Sequence, residues 1–150
     1  MTKIAHGVMV AVAVLGMSGI ALANDDQDDC TLKTLRGTYV FAATGYNIVS
    51  GVPQPKAIVE VIEFHGDGTL SVPAATRSVN GVVARTPPGG TGGYTVEAGC
   101  AGAISFDGGP SFDAFFSSKG GELWMIQTAP QGGSVFQGTA RRVTRQRSHK

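Results

Sequence analysis

Helical patterning is the first thing this 150-residue chain lacks, since no segment reads as an amphipathic helix. Histidine is scarce and scattered, at His6, His65 and His149, and cysteine occurs only at Cys30 and Cys100. No His or Cys lies beside either thiol to complete a tetrahedral ligand set, and His65 with Asp67 is too small a set. Neither a metal nor a cofactor is expected, and a local contact within its turn is the expectation for His65. Nucleophile elbows are missing as well, because Gly132-Gly-Ser-Val-Phe136 lacks the pattern and Gly16-Met-Ser-Gly19 falls within the apolar leader. The glycines at 89–93 have no helix after them, which excludes the usual phosphate cradle.

What is present at the start is a leader. A single cation, Lys3, precedes an apolar stretch from Ile4 to Leu22 that closes Ala21-Leu22-Ala23 before Asn24-Asp25-Asp26. Charge, apolar core and small-residue exit are the parts of a secretory signal peptide, with cleavage expected near Ala23. A secreted or periplasmic location follows. Without the leader and its lysine, eleven cations face eleven carboxylates, so the remainder is near neutral. Acidic residues crowd its beginning (Asp25, Asp26, Asp28, Asp29) and basic ones its end (Arg141, Arg142, Arg145, Arg147, Lys150). The expected organisation is a leader at 1–23, an acidic lead-in at 24–36, one β domain at 37–143 and a basic tail at 144–150. In an oxidising compartment, the even pair Cys30 and Cys100 is most simply a disulfide. Its loop of about 70 residues is worth about 4 kcal/mol by chain entropy.

Glycine is plentiful, 22 in all, and it sets the grammar of short run, turn, short run. Residues 56–72 carry the pattern best: Lys-Ala-Ile-Val-Glu-Val-Ile-Glu-Phe, then the turn around Gly66-Asp-Gly68, then a second run. β-branched and aromatic residues suit a pleated sheet, and the glycines supply the positive φ of a tight turn. The same reading places strands near 37–46, 57–64, 69–75, 93–97, 102–106, 111–117, 122–128 and 134–143. Val52-Pro-Gln-Pro55 and 86–93 read as connections, and Asn80-Gly81 as the turn of a small hairpin. Eight short strands joined mainly by hairpins hide their edges by closing, so the expected fold is an all-β, eight-stranded antiparallel up-and-down barrel. A two-sheet sandwich is the competing arrangement.

Cys30, Leu35-Arg-Gly-Thr-Tyr39, Phe64-His-Gly-Asp-Gly68, Gly93-Tyr-Thr-Val96 and Cys100-Ala-Gly102 together resemble a group of small secreted bacterial β-barrel proteins. These are grouped with the allene-oxide-cyclase and dirigent type of barrel within the calycin-like folds. The resemblance implies a barrel with one staple. No catalytic residue of the plant cyclases can be placed on this chain, and His65 stands where such a turn carries aspartate.

Glu60 is the side chain with most chemical promise. Alternation puts it on one face with Ile58, Ile62 and Phe64. If that face looks inward, burial raises its pKa and suits it to general acid–base catalysis; if outward, or paired with an arginine, it is bland. Tyr39, Phe64, Tyr94, Phe116, Trp124 and Phe136 are the candidate ligand wall, Trp124 foremost, with Met125 on the opposite face. Plain core packing is the alternative for all of them. Three functions stay open: a binder of a small apolar molecule in the lumen, a barrel isomerase, cyclase or lyase using Glu60, or an interaction module with a filled core. Export and the absence of aromatics in the basic tail argue against nucleic acid. Weak contact of that tail with an anionic membrane surface is the remaining expectation for it.

Overall fold

The computed structural model describes residues 30–143. The leader at 1–23, residues 24–29 of the acidic lead-in and the basic tail at 144–150 lie outside the described residues. Among the described residues a single 3-10 turn, Leu32–Leu35, precedes nine strands. These are β1 (Gly37–Val49), β2 (Val52–Phe64), β3 (Thr69–Val79), β4 (Val82–Thr86) and β5 (Gly90–Tyr94), followed by β6 (Ala101–Phe106), β7 (Ser111–Phe116), β8 (Glu122–Ala129) and β9 (Ser134–Arg142). All pairings are antiparallel, and the wall runs β2-β1-β9-β8-β7-β6-β5-β3. A β2–β3 pairing then closes it. The fold is therefore a closed eight-stranded barrel, as the strand count and hairpin connections anticipate. β4 is a ninth strand added alongside the upper half of β3.

Two expected connections turn out to be strand. Ser50 and Gly51 both take positive φ, 50° and 78°, and make the two-residue turn that starts β2 five residues earlier than expected. Pro53 and Pro55 fit within β2 because β3 pairs with it only as far as Lys56, leaving an edge that needs no proline donor. β5 likewise begins at Gly90, inside the glycine run, and Gly92 shows why the run is there. A Cβ on Gly92 would lie 2.2 Å from the Ser105 carbonyl oxygen of the neighbouring strand. The Asn80-Gly81 hairpin forms as expected, with φ of 48° and 83°. A register shift on the β3 side of the β2–β3 pair, at 72–74, marks where β3 changes partner from β5 to β4.

Strict alternation sends Tyr39, Phe41 and Ala43 of β1, and Glu60, Ile62 and Phe64 of β2, into the barrel. Leu70, Ile104, Phe112, Leu123 and Phe136 join them from the other strands. Their rings meet edge-to-face: Tyr39 with Phe64 at 5.2 Å, Phe64 with Tyr94 at 5.0 Å and Phe41 with Phe112 at 6.0 Å between centroids. This geometry suits aromatic quadrupoles and marks an interlocked core.

Below that core, Leu35 is fully buried, so the lead-in closes one end of the barrel. Two tyrosines hold it there. The Tyr94 hydroxyl donates to the Leu32 carbonyl at 2.8 Å and accepts from the Gly66 amide at 3.0 Å. The Tyr39 hydroxyl donates to the Gly120 carbonyl and accepts from the Arg142 guanidinium at 2.8 and 3.0 Å, while Arg142 also donates to the Thr34 carbonyl. Tyr39→Phe is expected to cost about 1–3 kcal/mol in chemical denaturation, because it strips Gly120 and Arg142 of a buried partner. An unchanged midpoint would show the network to be dispensable. Cys30 and Cys100 are joined, with Cα atoms 5.0 Å apart.

Candidate functional site

β2 presents Lys56, Ile58, Glu60, Ile62 and Phe64 to the interior in sequence, from the open end towards the closed one. Glu60 is 9% exposed and faces Phe41 on β1 and Ala75 on β3. Burial raises its pKa from the ordinary 4.5 to about 7, against the pull of the Lys56 ammonium. Lys56 itself lies across Gly45, which Phe136 flanks on the other side, and its ammonium sits 4.2 Å from the centre of the Phe136 ring. Burial first, then repulsion from Arg77, lowers the Lys56 pKa.

Of the six expected ligand-wall aromatics, the structure brings Tyr39, Phe64, Tyr94, Phe116 and Phe136 into the interior, all buried. Trp124 is corrected. It points outward and is 48% exposed, while its neighbours Leu123 and Met125 face the core. Both faces of β8 are apolar, so alternation identifies the two faces without saying which is inside. His65 stays in the β2–β3 turn, with Nδ1 2.8 Å from the Thr69 hydroxyl oxygen and Nε2 3.3 Å from that of Ser71. Among the described residues no cluster of three or more His, Cys, Asp or Glu is placed to hold a metal.

What the sequence reading missed lies on the outside. Strand register aligns Val59, Ala42, Thr139, Trp124 and Phe115 in one outward row across β2, β1, β9, β8 and β7. The next row towards the open end holds Ala57, Thr44, Gln137 and Ile126. Val59, Trp124, Ile126 and Phe115 are each about half exposed, Phe115 at 58%. Small residues on β1 and β9 separate Val59 from Trp124 and Phe115, and a groove of about 690 Å3 runs between them. A second cleft, about 590 Å3, adjoins it and shares Thr44, Ala57, Ile126 and Gln137. It reaches inward at Gly45 to Lys56 and Phe136 and outward to Tyr46, Pro55 and Val135. Neither is lined by Glu60. Charged residues flank the two rows at their edges: Glu122 and Arg141, paired at 2.9 Å, Asp113 on β7, Arg85 of β4 beyond Val59 and Thr76, and Glu97 beyond Phe115 and Ala101. A signal for this face was present in the sequence. Val59, Trp124, Ile126 and Phe115 occupy the strand positions where a solvated wall carries polar residues.

No family model and no curated protein matches the chain. Among solved structures, it is similar to a de novo designed fluorescence-activating β-barrel. The identity is 12%, the TM-score 0.46, and the match covers 75% of this chain and 96% of that one. The resemblance to the allene-oxide-cyclase and dirigent type of barrel thus rests on its turn and staple residues alone.

Proposed function

We propose that this chain is an exported, non-enzymatic binding module with a filled interior, which recognises an apolar partner through the outer wall of β2, β1, β9, β8 and β7. The observation that carries this reading is the row Val59–Ala42–Thr139–Trp124–Phe115, an exposed apolar strip flanking a groove of about 690 Å3. Soluble monomers rarely expose contiguous apolar patches beyond several hundred Å2 unless the patch binds something. Large half-exposed aromatics beside small residues give such a patch both anchors and a receptacle.

A small apolar molecule in the lumen is the weaker reading, because the rings expected to line a cavity are packed against one another. The outer clefts are of a size that suits small molecules, and an apolar compound seated there falls within the proposed reading. Catalysis by Glu60 has the buried carboxyl in its favour, but neither cleft would bring a substrate to it. Export is supported by the leader and by the disulfide, which persists in an oxidising compartment.

The test uses the chain's single tryptophan as reporter. In dilute protein, anilinonaphthalene sulfonate is expected to bind and quench Trp124 by energy transfer. Trp124→Ser is expected to abolish probe binding and, at an exposed site, to change stability by no more than about 0.5 kcal/mol. Probe binding that survives Trp124→Ser unchanged would place recognition elsewhere.

A further inference from the structure

The outer face described above has a shape that complements itself, and its edges carry both signs of charge. We propose that the partner it fits is a second copy of this chain, docked wall to wall about a two-fold axis; this rests on the outer wall being the recognition surface. Trp124 and Phe115 stand as a ridge on β8 and β7, and the small residues Ala42 and Ala57 leave the β1–β2 region beyond β9 low. A two-fold axis through the face lays the ridge of each copy into the groove of the other. Such a contact is isologous: what Trp124 of one copy touches, Trp124 of the other touches in return.

Area and charge both agree. The four large side chains, each about half exposed, offer on the order of 400 Å2, taking 150–250 Å2 for a whole aromatic. Adding Val40, Tyr46, Val135 and the small residues between them brings the face near the roughly 800 Å2 that each partner gives a standard interface. The two central rows carry no charge short of Asp113 at the β7 edge, so docking desolvates no ion in the middle of the contact. At the rim, Glu122 and Arg141 neutralise one another, Arg85 lies beyond Val59 and Glu97 beyond Phe115, so the rim carries both signs rather than a block of one. Sheets that pack face to face, as in β-sandwiches, interdigitate side chains in this way.

The test is the mass of the disulfide-intact protein in solution against concentration, by sedimentation velocity. The expected result is a concentration-dependent species of twice the chain mass, with Trp124 emission shifting to the red as dilution exposes the indole. Trp124→Ser removes the ridge and Ala42→Arg fills the groove; each is expected to weaken self-association at least 100-fold while preserving the β-sheet circular dichroism. One chain mass at every concentration up to the millimolar range overturns the proposal. So does a dimer that both variants leave intact. A monomer whose face still binds anilinonaphthalene sulfonate through Trp124 overturns the dimer while the apolar recognition surface stands, its occupant then being another apolar molecule. A monomer that binds no probe overturns both.

Discussion

Replacing Glu60 by glutamine is expected to stabilise this protein by up to about 3 kcal/mol at pH 8 and by close to nothing at pH 4. The sign follows from the direction of the shift. Burial raises the folded-state pKa from the ordinary 4.5 to about 7, so between those values the folded chain holds a proton that the unfolded chain has released. Stability therefore falls as pH climbs from about 4.5 to 7 and levels off above, once both states are ionised. A difference of about 2.5 pKa units corresponds to about 3 kcal/mol at 1.36 kcal/mol per unit. Lys56 softens the cost without abolishing it, because it is itself partly desolvated and repelled by Arg77. Glutamine keeps the volume and removes the ionisation. Urea denaturation of both proteins from pH 4 to 9 measures the difference directly. A constant offset across that range would mean that Glu60 is solvated and carries no such burden.

Serine at both Cys30 and Cys100 is expected to lower stability by about 2–5 kcal/mol, as loss of a native bridge does in small exported domains. The sequence separation of 70 means that the crosslink removes much freedom from the unfolded chain. Its position adds to this. Cys30 stands just before the 3-10 turn that brings Leu35 under the aromatic core, and the Cys100 carbonyl accepts from the Phe116 amide just before β6. Without the bridge, the lead-in depends on the hydrogen bonds of Tyr39, Tyr94 and Arg142. The measurement is the denaturant midpoint of the double variant, together with a non-reducing peptide map of the parent. A double variant within about 0.5 kcal/mol of the parent would show the lead-in to be held by those tyrosines alone.

Much of the barrel was legible because its signals are local. Asn80-Gly81 turns where the sequence says, and Gly66 and Gly68 bracket the β2–β3 turn, since positive φ at those positions selects glycine or asparagine. Less legible were the stretches where tertiary pairing overrides local punctuation. Pro53 and Pro55 mark a loop by composition, yet they lie in β2 because that part of the strand has only one neighbour. The run at 90–93 has only Thr91 to announce a strand, and Gly92 is required by the Ser105 backbone carbonyl of the next strand, thirteen residues on.

The contrast between β2 and β8 marks the limit. On β2 one face carries Ile58, Glu60, Ile62 and Phe64, and the other carries Ala57, Val59, Val61 and Glu63. Sequence alone determined that Glu60 shares its fate with Phe64, because side chains alternate with a period of two along any strand. It equally determined that Trp124 and Met125 part company. Which of the two goes inside was decided only when the wall closed. Leu123 and Met125 fill the space left by Ala140 and Ala114 on the neighbouring strands, whereas Trp124 and Ile126 continue two outward rows that begin on β2 at Val59 and Ala57, some sixty residues earlier. Periodicity divides a strand into two faces. When both are apolar, only closure of the sheet assigns one of them to the core.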